Sequence, residues 1–175
     1  MSGTAAAGRP ASGNLAALLR LHDRLTAWGV LAAMAALALI VAAFTLEVVA
    51  RYGFNTPTRW TADLVSYLLL FVTFMAMPHV TVTGGHVAVT ALLEKLPAAG
   101  QRRAGQAIAV VGAAVCALLT WITFGETLRQ ASSGVRMMAA YPVPKAWISL
   151  RIVYGLASSA LYFLRLALWP PAQVD

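Results

Sequence analysis

Charge is what this sequence has least of. Only 11% of its 175 residues are Asp, Glu, Lys or Arg, against roughly a quarter in an ordinary soluble domain. Hydrophobic residues make up 60%, and the mean hydropathy is +0.74. A chain of about one domain's length has no interior large enough to hide so much apolar surface, so a soluble globular fold is excluded and a bilayer must act as solvent. Cysteine is nearly absent too: Cys116 alone, inside an apolar run, leaves neither a disulfide framework nor a thiolate metal site. Acids number 6 against 13 Lys and Arg, giving a formal charge of +7. The basic residues are scattered between apolar runs, with no basic helix or aromatic-interleaved patch, which excludes nucleic acid as a partner. Beside apolar runs they serve as anchors to lipid headgroups. There is no nucleophile elbow, zinc spacing or phosphate-cradling loop, and a lone GGH at 84–86 is too short to count, so nothing points to an enzyme.

What is present is a set of long apolar runs, and the fold class they predict is an all-α membrane protein with four transmembrane helices. Residues 28–46 are 19 in a row without a charge, close to the roughly 20 that a helix needs to cross a hydrocarbon core of about 30 Å. The run is too long, and starts too late, for a cleaved signal peptide. Further spans are expected at about 62–81, 104–125 and 146–169, the last containing Arg151 and Arg165, whose long stems can snorkel to headgroups. Pro142, Pro144, Pro170 and Pro171 bracket it where helix breakers belong. Residues 1–14 are Gly, Ala, Ser and Pro with one Arg and read as a disordered tail. Residues 15–27 mix leucines with Arg20, His22, Asp23 and Arg24 and read as an amphipathic approach on the membrane surface. After Gly84 and Gly85, Val89, Leu92, Leu93 and Leu96 fall at helical spacing before Pro97, predicting a short interfacial amphipathic helix between spans two and three. Together these give a compact four-helix membrane domain over 15–169 and a tail at 170–175. No repeat or pair of broken helices appears. With the N-terminus inside, basic residues divide seven inside to six outside, a tie that leaves orientation open.

Charges at membrane depth are functional candidates, each with an ordinary alternative. Glu47 has Arg51 four residues on, Glu126 has Arg129 three on, and Asp63 has Arg59 four back. Such spacings pair along a helix flank, although a role in ion passage or partner recognition stays open. No carboxylate stands unpaired near a span's centre, where a self-sufficient ion-coupled carrier needs one or a broken helix. His79 and His86 lie on one segment and His22 before the first span, a poor arrangement for two axial haem ligands. Small and weakly polar residues form stripes: Asp63, Ser66, Tyr67 and Thr73 in the second span, Gly112, Cys116, Thr120 and Thr123 in the third, and Gly155, Ser158, Ser159 and Tyr162 in the fourth. These either hold the four helices together or dock a second membrane subunit. Trp28, Trp60, Trp147 and Trp169 sit at span ends, as in an interfacial aromatic belt.

One stretch is more specific. Residues 47–71, EVVARYGFNTPTRWTADLVSYLLLF, resemble the signature of the small permease subunit of TRAP transporters, the tripartite ATP-independent periplasmic carriers, through Arg51, Tyr52, Phe54, Asn55, Pro57, Trp60 and Asp63. GGHVAV at 84–89, LLEKLP at 92–97 and VPKAW at 143–147 resemble later family segments, so the likeness covers about residues 25–168. Ala62 stands where the family often has a first acid after the tryptophan, and Thr90 where its loop often has another.

The resemblance implies a helper that packs against a large permease holding the substrate and coupling-ion sites. A periplasmic binding protein would deliver an organic anion, often a carboxylate. It implies a bacterial inner-membrane location with both termini cytoplasmic, no cofactor bound by this chain, and sodium or proton coupling in the partner. Arg51, Tyr52, Asn55, Trp60, Asp63 and His86 become the candidates for partner contact. Two rivals from other classes are a haem- or quinone-associated anchor of a respiratory enzyme, and a stand-alone exporter using Glu47.

Overall fold

The computed structural model describes residues 13–58, 60–83, 97–134 and 144–169. Four helices account for nearly all of them: α1 (Gly13–Gly53), α2 (Thr61–Val82), α3 (Ala98–Ser133) and α4 (Lys145–Leu168). All four are long and apolar enough to cross a membrane.

Their lengths differ in kind. α2 and α4 have 22 and 24 residues, about 33–36 Å at 1.5 Å per residue, one hydrocarbon thickness. α1 and α3 have 41 and 36 residues, about 62 and 54 Å, and extend well beyond the charge-free runs that announced them. The segment 15–27 is therefore not a separate surface approach: it forms the first turns of one uninterrupted α1, and Gly13 and Asn14, expected in the tail, already belong to it. Nothing between Gly13 and Gly53 breaks the helix, since the stretch has no proline and is rich in Ala and Leu, the strongest helix formers. The rest of the expected tail, the amphipathic helix around Val89 to Leu96, and the flanking Pro142, Pro170 and Pro171 lie outside the described residues.

Helix ends follow local chemistry. Beyond Gly53 the chain turns through Asn55, which adopts φ 53°, a left-handed conformation that asparagine tolerates better than most side chains. Gly134 closes α3 at φ 62°, the usual left-handed C-terminal cap. Pro97 and Pro144 precede α3 and α4, and their carbonyls accept the N–H groups of Gln101 (3.0 Å) and Trp147 (3.1 Å). Within the helices, Thr45, Ser66, Thr73, Thr81, Thr120 and Thr127 donate back to carbonyls four residues earlier. That satisfies each hydroxyl inside its own helix, as a lipid solvent demands.

The closest backbone approaches run α1 to α2, α2 to α4, and α4 to α3, and side chains of α1 also reach α4. Within the compact domain expected from the sequence, the last helix inserts between the second and third. α4 accordingly has the largest buried share of the four and α3 the smallest. Side chains such as Val41, Leu118 and Trp121 stay exposed along the outer faces.

The seams depend on small residues. Ile40, Ala43 and Val65 join α1 to α2, with Leu64, Leu68 and Val72 around them. Between α2 and α4 the approach is closest: a Cβ on Gly155 would lie 2.5 Å from the carbonyl oxygen of Phe74. Pro78, buried inside α2, explains why that carbonyl is available, because proline has no N–H to offer the residue four before it. Between α3 and α4, Gly112 leaves room for the Phe163 ring, 3.0 Å from where its Cβ would stand. Ser158, Ser159 and Tyr162 are all buried, so the stripe of the fourth helix is used within the chain. The second helix differs: Ser66 and Thr73 face outwards.

Candidate functional site

Among the described residues, polar side chains gather at three stations, all towards helix ends. The first closes the α1–α2 connection. Glu47, only 11% exposed, accepts a hydrogen bond from Arg51 Nη2 at 2.6 Å and one from the Thr58 backbone N–H at 3.1 Å. The Thr58 hydroxyl also donates to Glu47, and Thr58 and Thr61 share a further hydrogen bond. The Thr56 N–H returns to the Ala50 carbonyl at 3.0 Å. One carboxylate thus ties the last turn of α1 to the first of α2.

This station holds five of the six candidates for partner contact. Arg51 is partly committed to Glu47, with its side chain still 56% exposed. Tyr52 is 82% exposed, and the neighbouring Phe54 is 73% exposed. Asn55 occupies the left-handed turn. Trp60 stands at the N-cap position of α2 without capping through its side chain, and Asp63 lies in the first turn, where its charge suits the positive end of the helix dipole. His86, and the Arg59 expected to pair with Asp63, fall outside the described residues.

The second station joins α3 to α4 at the same end of the molecule. Arg129 forks onto Glu126 at 2.9 and 3.0 Å, Gln130 Nε2 donates to Glu126 at 2.9 Å, and Ser149 of α4 donates to Gln130 Oε1 at 2.8 Å. Glu126 follows the charge-free run of α3.

The third station, at the opposite end, was not visible in the sequence. Asp23 on α1 receives Arg165 of α4 at 2.6 and 3.3 Å. The Tyr162 hydroxyl lies 2.9 Å from Asp23 and 3.0 Å from Thr26. With one phenolic proton, it donates to the carboxylate and receives from the threonine. His22 Nε2 is 2.7 Å from the Ser158 hydroxyl, and its ring stands 4.5 Å from that of Tyr162. Asp23 precedes the charge-free run of α1. The two arginines of the fourth span also have partners within the chain: Arg165 is tied to Asp23, and Arg151 lies over the Phe71 ring of α2 at 5.4 Å. His22, one of the histidines weighed for haem, is occupied as a helix-to-helix contact.

What could have pointed to this station is depth: Asp23 and Arg165 border the same end of the first and fourth spans. They are 142 residues apart, and a search at i, i+3 and i, i+4 spacing reads only neighbours. No group of three or more His, Cys, Asp or Glu suited to a metal occurs among the described residues.

Among the described residues, ion pairs and hydrogen bonds hold the helix ends, and the Asp23 to Arg165 pair joins two helices. Comparison with known proteins supplies the family. A candidate TRAP transporter small permease protein of Haemophilus influenzae is 38% identical over 65 residues, covering 37% of this chain and 40% of that relative's length. The family model for tripartite ATP-independent periplasmic transporters, DctQ component, matches residues 40–170. That match takes in three quarters of the 175 residues, including the Glu47 station, the Glu126 station and the whole of α2, α3 and α4. The chain therefore belongs to the DctQ component family of TRAP transporters, as a multi-pass membrane subunit of a transporter and not an enzyme.

Proposed function

We propose that this subunit scaffolds a large permease, which carries out ion-coupled uptake of an organic anion, a carboxylate, delivered by a periplasmic binding protein. It resides in the bacterial inner membrane with both termini in the cytoplasm. The Arg51 to Asp63 connection then lies on the periplasmic side, where exposed Tyr52 and Phe54 are available to a partner.

The observation that carries the reading is the outward stripe of α2. Ser66 and Thr73 are exposed, with their hydroxyls bonded to their own helix, while the comparable stripe of α4 is consumed inside the chain. A weakly polar face left over on an apolar helix suits docking against another membrane helix. Three of the four described carboxylates, Asp23, Glu47 and Glu126, are each engaged with an arginine at a helix end, which supports placing the coupling chemistry in the partner.

Co-expression with a large permease, followed by purification through a tag on this chain, is expected to recover both proteins in a fixed ratio. Transport should require the two together. If the chain is recovered alone and already moves an organic anion in proteoliposomes, the scaffold reading is wrong.

A further inference from the structure

Beneath the Asp23 station a groove of ≈ 630 Å³ opens between α1, the end of α2 and the end of α4. Its lining changes with depth. Asp23, Arg165, His79 and Trp169 stand at the rim, while Val30, Leu31 and Met34 line the wall contributed by α1.

The rim is rich in donors. Arg165 places two nitrogens on Asp23, and a guanidinium carries five N–H groups, so further hydrogens remain for an acceptor. His79 is exposed, and Trp169, 58% exposed, carries an indole N–H. Asp23 offsets the charge of Arg165, and Arg20 and Arg24, within a turn of Asp23 on α1, leave this end net positive. The wall is apolar and has a definite reach: from Asp23 to Met34 the helix rises about 16 Å, half the roughly 30 Å hydrocarbon core. A free anion would use the rim and leave the wall bare. An amphiphile with an anionic, acceptor-rich head and a tail one leaflet long would use both.

We propose that this groove binds one phospholipid, its phosphate held at the Arg165, His79 and Trp169 rim and one acyl chain laid along Val30, Leu31 and Met34. The lipid bridges α1 to α4, which have no close backbone approach of their own. The positive rim selects an anionic headgroup over a zwitterionic one.

The test is lipid retention by the full chain in mild detergent, followed by native mass spectrometry after exposure to phosphatidylglycerol or phosphatidylcholine. One phosphatidylglycerol per chain is expected to survive, with phosphatidylcholine held several-fold less. Leu31→Trp, at a 52% exposed position of the groove, should lower retention about tenfold, or 1.4 kcal/mol. Met34→Trp, at the far end, provides a second filler should the first disturb folding. Leu118→Trp, on the 61% exposed face of α3 away from the groove, should retain as much lipid as the native chain. Excess inorganic phosphate should displace nothing. The proposal is overturned if the fillers retain as much as the native chain, if phosphate displaces the lipid, or if Leu118→Trp loses it equally. It is also overturned if the fillers release a co-purified permease while lipid retention is unchanged, since a protein helix would then be the occupant.

Discussion

A methyl group added at Gly155 would have to stand 2.5 Å from the Phe74 carbonyl oxygen. The obstacle is backbone, which moves only if α2 and α4 separate. Alanine favours a helix over glycine by up to about 1 kcal/mol, but overpacking costs about 1–3 kcal/mol, and here the second effect should win. Gly155→Ala is expected to lower the unfolding midpoint in detergent by several degrees. Gly112 is a useful contrast, since its Cβ would meet the Phe163 ring at 3.0 Å, and a ring can swing away. Gly112→Ala should therefore be close to neutral. Thermal unfolding of the two variants side by side checks the argument, and an equal effect at both positions would refute it.

At the scale of the helix, the third station decides whether the first turns of α1 stay attached to α4. Asp23 accepts hydrogen bonds from Arg165 and Tyr162 of α4, and an asparagine there would leave the Arg165 guanidinium without its counter-charge. Asp23→Asn should thus be less thermostable than the native chain, and Asp23→Asn combined with Arg165→Gln should lose less than the sum of the two single changes. Unfolding midpoints of the three variants test it; additive losses would contradict the pairing. This contact also marks where sequence reading stopped. The apolar runs gave all four helices because lipid permits little else, and Glu47 with Arg51 and Glu126 with Arg129 were legible because a helix brings such spacings together. Helix length was not legible: residues 13–27 and 126–133 are polar enough to leave the membrane yet contain no breaker to end the helix. Nor was the pairing of Asp23 with Arg165, which depends on which helices become neighbours. Of the partner candidates, Arg51, Tyr52, Asn55, Trp60 and Asp63 fall together because one short connection carries them all.

For the whole molecule, the packing leaves α3 attached through α4 among the described residues and a weakly polar face on α2. Ser66→Leu with Thr73→Leu removes that face while each exposed site accepts an apolar side chain, so the isolated chain should keep its unfolding midpoint. Recovery of a co-expressed permease should fall about tenfold, corresponding to roughly 1.4 kcal/mol; unchanged recovery would move the docking face elsewhere. The spatial order α1, α2, α4, α3 also departs from the order of synthesis, and chains emerge N-terminal end first. α1 and α2 are consecutive and can pair as soon as both are inserted. α3 has no described neighbour except α4, so it must wait in the lipid until the following helix arrives and slides in beside α2. Assembly is thus gated by its last participant, and a ribosome halted in the α3–α4 connection would leave a hairpin whose His22 and Asp23 lack their α4 partners and a stranded third helix, open to whatever quality-control machinery recognises unpaired spans.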